Sequence, residues 1–336
     1  MILKADGEGI AAAAEIIRRG GLAAMPTETV YGLGASALDA EAAKKIYAAK
    51  GRPSDNPLII HVCSREQIEE YTREIPDYAR KLINAFMPGP FTIILKKAAN
   101  IPDTVTAGLD SVAVRFPKHR AAQELIRLSG VPIAAPSANL SGKPSPTRVQ
   151  HVIDDMSGRI DCIIDGGDCE VGLESTIVDA TGKHPVVLRP GGVTVDMLRS
   201  VCPDTEVDAH VLKSVGENER PKCPGTKYKH YAPDAEVTVI EGEKAAVQAK
   251  IKELIKSNGG KRIGVLTMYS GAYDDAVIIA ADSTNRGYAK QLFAALREFD
   301  KLGCDVVYAE FCENDGVGLA VKNRLYKSAA QRVIHV

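Results

Sequence analysis

Tryptophan is absent from this 336-residue chain and phenylalanine occurs only 6 times. The core must therefore be mostly aliphatic. Charge of one sign is also missing: 42 basic and 43 acidic side chains leave a net charge of −1. No global basic field advertises nucleic acid, although a local basic cavity would vanish in such a sum. The 7 cysteines include no C-x-x-C pair, which argues against a disulfide framework or a zinc site and fits reduced thiols. No G-x-x-x-x-G-K-[ST] segment occurs, so the chain is not a P-loop ATPase. No apolar run approaches the roughly 18 residues that span a bilayer, and no signal segment opens the chain. The expectation is a cytoplasmic protein without a membrane partner. Internal repeats and low-complexity tracts are lacking as well.

The pattern that is present divides in three. Residues 1–202 alternate short apolar runs with amphipathic stretches, and several strand pairs lie close in sequence. The expected fold class is α/β, a twisted mixed sheet with flanking helices rather than a strict parallel stack. Strands are expected at Leu22–Met25, Leu58–Val62, Phe91–Lys97, Val112–Phe116, Val131–Ala135, Cys162–Asp165, Thr176–Asp179 and Val186–Arg189. Helices are expected at Ile10–Arg19, at Asp39–Lys50, after the capping box Ser64-x-x-Gln67, and at Ala121–Leu128. Residues 203–234, punctuated by Pro203, Pro221, Pro224 and Pro233, read as a linker. Residues 235–336 turn cleanly to strand-helix-strand, which suggests a smaller Rossmann-like domain ending in a helix over Gly318–Arg332.

Polar signatures sit where the apolar runs of the first part stop. They are Pro26-Thr27-Glu28-Thr29-Val30-Tyr31-Gly32-Leu33-Gly34, Lys50-Gly51-Arg52-Pro53, Pro136-Ser137-Ala138-Asn139-Leu140-Ser141-Gly142, Glu174-Ser175-Thr176-Ile177-Val178-Asp179 and Leu188-Arg189-Pro190-Gly191. Fixed cations or small hydroxyls beside Gly and Pro build rigid, donor-rich anion pockets. Five in succession point to a nucleotide-handling site. Gly32-Leu33-Gly34-Ala35-Ser36-Ala37 matches G-x-G-x-x-A, but no ribose-binding acid follows, and a tight turn is the expectation there.

Lys50 and Arg52 have two readings. Lys50 can close a helix against its dipole, or Arg52 can grip a phosphate through its planar fork with Lys50 as a point charge. His61, inside an apolar strand, is either a core histidine or a contact at a strand end. Arg115, also within a strand, demands an anion partner, from the protein or from a ligand. Ser137, Ser145 and Ser175 have no His-Asp pairing nearby in sequence, so hydrogen bonding suits them better than nucleophilic attack. His230-Tyr231-Ala232-Pro233 is either a docking anchor or a lid.

Together these segments resemble the threonylcarbamoyl-AMP synthase family in its longer two-domain form, over nearly the whole chain. P-T-E-T-V-Y-G-L-G, K-G-R-P, P-S-A-N-x-S-G, E-S-T-I-V-D and L-R-P-G stand in the family's order, and H-Y-A-P occupies its linker. The resemblance implies a YrdC-like first domain that condenses L-threonine, bicarbonate and ATP to threonylcarbamoyl-adenylate and pyrophosphate. A separate transferase complex would then carry the group to tRNA. It implies that Lys50, Arg52, Asn56, Ser111, Ser137, Ser145, Arg189 and Tyr231 hold ATP, with Lys50 and Arg52 catalytic through the phosphates. Thr29, His61, Arg115, Ser175 and the backbone at Ala135 would hold threonine, and Mg²⁺ would arrive on the ATP phosphates with few protein ligands. Two rivals remain open. One is a carbamoyl-adenylate enzyme of hydrogenase maturation, which would carry zinc-finger cysteines. The other is an RNA-binding or ribosome-assembly module using the same cavity.

Overall fold

Local capping fixes the first helices. Asp6 accepts from the Gly9 amide at 2.9 Å and opens the helix Gly7–Arg18. Asp39 accepts from the Glu41 and Ala42 amides and opens Ala40–Lys50. Gly51 closes that helix at φ 61°, a left-handed conformation that glycine adopts without cost. Ser64 caps Arg65–Tyr71, but Gln67 reaches back to the Cys63 amide rather than to Ser64 itself, so the expected reciprocal box is only half formed.

The computed structural model describes residues 1–212, 223, 230–269, 273–311 and 316–336. Met1–Ser141 with Ser145–Lys227 make one unit, and Gly142–Pro144 with Tyr228–Val336 make the other. Much of the linker expected at 203–234 lies outside the described residues; its start adds Glu206–Val207 to the edge of the first unit's sheet.

That sheet is mixed and 12-stranded. Its order is Ile2–Lys4, Cys162–Asp165, Ala23–Met25, Gly32–Ser36, Ile133–Ala134, Ile59–His61, Ser111–Arg115, Phe91–Lys97, Thr176–Asp179, Val186–Arg189 and Glu206–Val207, with Thr72–Arg73 beside Phe91–Lys97. The G-x-G-x-x-A segment corrects the expectation of a tight turn. Gly32–Ser36 is a fully buried strand, antiparallel to both neighbours. Its glycine serves close packing: a Cβ on Gly34 would stand 2.7 Å from the Ile133 side chain.

One face of the sheet is sealed by helices whose Ala42, Ile46, Leu82, Ile83 and Leu198 pack on Ile60, Val114, Ile93 and Val178. On the other face, Gly7–Arg18 and Arg120–Ser129 cover only the half built from Ala23–Met25, Cys162–Asp165 and Ile133. The remaining half of that face, over Ile59–His61, Ser111–Arg115, Phe91–Lys97 and Thr176–Asp179, carries a different surface.

The second unit holds five parallel strands in the order Val277–Ala280, Ile263–Thr267, Val306–Phe311, Glu236–Glu241 and Val333–His335. The helices Lys244–Ser257, Asn285–Lys301 and Gly318–Ser328 connect them. The last helix stops four residues short of the expected Arg332, because Ala330 and Gln331 take positive φ (49° and 66°) and turn the chain into an unforeseen edge strand.

Candidate active site

Residues directly opposite one another on paired strands project from the same face. The register makes one such row: Ile133 opposite His61, His61 opposite Arg115, Arg115 opposite Thr92, Thr92 opposite Ile177, and Ile177 opposite Arg189. Six strands drawn from residues 59 to 189 thus set an imidazole, two guanidiniums and a hydroxyl on the half-face that no described helix covers. Ile59, Ala113 and Ile94 lie beside the row and form, with Ile177 in it, an aliphatic patch against which Cys223 is buried.

Around the row the loops add donors and acceptors. Thr27 organises the turn Pro26–Val30. Its hydroxyl meets Thr29 Oγ1 at 2.8 Å, donates to the Val30 carbonyl at 2.6 Å and takes the Thr29 amide at 3.2 Å. Glu28 accepts from Arg115 Nη2 at 2.8 Å in an ion pair whose side chains are only 4% and 5% exposed. Its other oxygen accepts from the Lys118 amide at 3.1 Å. Arg115 Nε is buried and has no hydrogen-bond partner.

Arg189 donates through Nε to the Ser175 carbonyl (3.1 Å) and through Nη2 to Ser175 Oγ (3.2 Å). Ser175 Oγ also lies 2.7 Å from Thr92 Oγ1. Gly191 lets the backbones come this close, since an added Cβ would sit 2.4 Å from the Thr176 nitrogen. Ser145 donates to the buried Glu174 carboxylate.

Both cations after the helix Ala40–Lys50 are buried. The Lys50 ammonium donates to the carbonyls of Ser137 and Asn139, tying helix to loop. Arg52 Nη2 donates to the carbonyls of Asn56 (3.3 Å) and Pro57 (3.2 Å) and braces the turn between them. Asn56 is 1% exposed, and its buried Oδ1 has no hydrogen-bond partner. Ser137 Oγ donates to Asn139 Oδ1 at 2.5 Å.

His61 is 3% exposed, with Nδ1 3.2 Å from the Ile59 carbonyl. Burial, and secondarily the Arg115 charge, push its pKa down to about 3. A neutral imidazole of that strength is a hydrogen-bonding group and a poor general base near neutral pH.

The structure therefore brings His61, Arg115, Ser175 and Arg189 onto one surface. Thr29 is joined to Arg115 through Thr27, and Ala135 is tied by its amide to the Ile59 carbonyl at 2.9 Å. Lys50, Arg52, Asn56 and Ser137 form adjoining braced loops. Ser111 stands at the other end of Arg115's strand, half-buried and opposite Lys96. Tyr231 belongs to the second unit, where it packs on Phe293 at 5.1 Å between ring centroids.

Sequence reasoning passed over Thr27, Glu28, Thr92 and Glu174 as site groups. Glu28 and Glu174 stood inside quoted motifs, as the carboxylates that buried cations and hydroxyls need. Thr92 is the polar position of an otherwise apolar run, Phe91-Thr92-Ile93-Ile94-Leu95.

A mixed sheet with helices on both sides, and a buried row of cations and hydroxyls on the half-face that no described helix covers, define the class: an α/β protein with a buried, donor-rich polar site. Comparisons with known proteins make that class specific. A family model described as telomere recombination (Sua5, YciO and YrdC) matches residues 15–191. A second, described as the threonylcarbamoyl-AMP synthase C-terminal domain, matches residues 193–330. The chain is 51% identical over 327 residues to the threonylcarbamoyl-AMP synthase of Pyrococcus abyssi, spanning 96% of this chain and 95% of that one. It is 46% identical over 339 residues to that of Bacillus subtilis, spanning 99% and 96%. The crystal structure of P. abyssi Sua5 complexed with L-threonine superposes with a TM-score of 0.96 at 49% identity, covering 100% of this chain and 99% of that one. Escherichia coli YciO matches at a TM-score of 0.51 and 26% identity, over 57% of this chain and 94% of its own.

The chain belongs to the threonylcarbamoyl-AMP synthase family.

Proposed function

We propose that this chain is an L-threonylcarbamoyladenylate synthase, a nucleotidyltransferase acting on L-threonine, bicarbonate and ATP. The observation that carries the reading is the Arg115 guanidinium. It is buried on the half-face that no described helix covers, with Nε lacking a partner, beside hydroxyls and a neutral imidazole. A buried, unmatched donor of that kind suits a carboxylate that binds and leaves.

Threonine's amine and bicarbonate combine to a carbamate and water. A carbamate oxygen attacks the α-phosphorus of ATP, the bond from that phosphorus to the bridging oxygen breaks, and pyrophosphate leaves. Negative charge crowds at that centre, so the protein's part is positioning and electrostatic stabilisation. Arg115, Ser175, Thr29, His61 and the backbone at Ala135 hold threonine. Lys50, Arg52, Asn56, Ser111, Ser137, Ser145 and Arg189 hold ATP. Mg²⁺ screens phosphate charge when bound. The ion would take its oxygens chiefly from ATP and water. The product suits a separate transferase that passes threonylcarbamoyl to a tRNA adenosine. No helix among the described residues is long and apolar enough to cross a membrane.

The test is pyrophosphate release by the purified protein with ATP and Mg²⁺. Release should need both threonine and bicarbonate. No release, together with tight and steeply salt-dependent RNA binding, would favour the RNA-binding module instead.

A further inference from the structure

Glu28 is a buried carboxylate for which the reaction so far has no use, and its geometry assigns it one. Both of its oxygens are engaged, Oε1 by Arg115 Nη2 and Oε2 by the Lys118 amide. Its own carbonyl accepts from the Val171 amide at 2.8 Å, which ties the loop to the segment before Glu174-Ser175. Glu28 is thus held at three points, twice at its carboxylate by the segment Arg115–Lys118 and once at its backbone by Val171. The guanidinium it faces is not matched in the same way. Arg115 Nη2 is spent on Glu28, with Thr27 Oγ1 at 3.5 Å, while Nε is buried and unpartnered. A guanidinium is planar, so fixing one nitrogen and the side-chain stem fixes the direction of the remaining N–H groups.

Resting on the synthase reading, we infer that Glu28 is a positioning residue for threonine. It anchors Arg115 through Nη2 so that Nε points its N–H at the incoming carboxylate. Glu28 also offsets the guanidinium's charge before threonine arrives, so the cation stays buried in the unliganded protein. It touches no reacting atom. Removing its charge should weaken threonine binding selectively, because Arg115 would then turn toward other acceptors.

The experiment measures KM for threonine at saturating ATP, and KM for ATP at saturating threonine, in wild type, Glu28→Gln, Arg115→Met and the double variant. Glu28→Gln keeps the shape and one acceptor. It should raise KM for threonine on the order of 10-fold, the loss of one charge-assisted orientation. KM for ATP should stay within about two-fold, as only one substrate's binding is affected. In the Arg115→Met background the same change should add nothing, since the group it orients is gone. Equal rises in both KM values would mean a loosened loop and would overturn the inference, as would an unchanged threonine KM or additive effects in the double variant. If Glu28→Gln does not fold, Glu28→Asp replaces it, keeping the charge but shortening the reach, and the same outcomes decide. A wild type that binds threonine by calorimetry but releases no pyrophosphate rejects the synthase reading alone; Glu28 is then judged on threonine affinity. A wild type that binds no threonine rejects both.

Discussion

Replacing Lys50 with methionine separates two roles that one ammonium can play. The side chain is 3% exposed, and its ammonium donates to the Ser137 and Asn139 carbonyls. The backbone adds a third tie, from the Ser141 amide to the Lys50 carbonyl at 2.9 Å, which the substitution leaves in place. Methionine keeps most of the apolar stem and its packing. What is lost is two hydrogen bonds from a charged donor, each contributing roughly 1.5–3 kcal/mol, with two carbonyls left in a buried setting. The sum is about 3–6 kcal/mol if neither carbonyl finds another donor, less if water enters. For a domain of this size each kcal/mol moves Tm by about 2–4 °C, so a fall of roughly 6–24 °C is expected. Thermal unfolding followed by circular dichroism measures it, and KM for ATP in the same variant reports the loop. Ser137 is one of the proposed ATP groups, so KM for ATP should rise more than KM for threonine. A Tm within about 2 °C of wild type would show that the two bonds contribute little to the fold. With ATP binding also unchanged, the whole account of Lys50 fails.

Thr92→Val removes the hydroxyl facing Ser175 while keeping the branched shape. Ser175 Oγ retains Arg189 Nη2, so the stability cost should be only about 1 kcal/mol. Threonine affinity should fall several-fold by calorimetry, about as for one hydrogen bond; no change would remove Thr92 from the site. His61 links pH to stability. Its folded pKa is about 3 against an ordinary 6.5, so between those values the unfolded chain holds a proton that the folded chain does not. Its contribution is complete above about pH 6.5 and is lost as pH falls toward 3. His61→Asn should reduce the slope of stability against pH in that window by up to about 1.4 kcal/mol per unit. Urea unfolding at pH 7 and pH 5 measures this, and identical slopes in the two proteins would contradict it. Arg52→Lys keeps the charge but loses the planar fork that braces the Asn56 and Pro57 carbonyls. KM for ATP should rise several-fold with the threonine KM little changed, consistent with one lost hydrogen bond; steady-state kinetics in both substrates decides.

Continuous apolar runs such as Phe91–Lys97 and Cys162–Asp165 were legible in the sequence to the residue, because a strand buried on both faces is written as a short run of apolar, branched residues. Helix starts at Asp39 and Ser64 were legible for the same reason: a cap is decided within three residues. The row His61, Arg115, Thr92, Ile177 and Arg189 was not. It depends on which strands pair and in what register, and those partners lie 23 to 85 positions apart in pairs such as Arg115–Thr92 and Thr92–Ile177. The Gly32–Ser36 strand was read as a turn because glycine marks both; only the closeness of Ile133 shows that packing demands it. Short helices such as Asp103–Thr106 and Val149–Met156 escaped notice because they are brief and neither opens on a side-chain cap. Arg115 was expected to need an anion, but Glu28 as its protein partner appears only when the loop folds over the sheet.

The central claim is that the half-face of the first sheet that no described helix covers holds threonine beside ATP. The most direct measurement is a crystal structure with L-threonine and a non-hydrolysable ATP analogue. The account predicts the threonine carboxylate within hydrogen-bond distance of Arg115 Nε, with the α-phosphate beside the amino group and the phosphates on the loops at Arg52–Asn56 and Ser137. Threonine bound away from Arg115, or the two ligands held too far apart for a carbamate oxygen to reach the α-phosphorus, would contradict it.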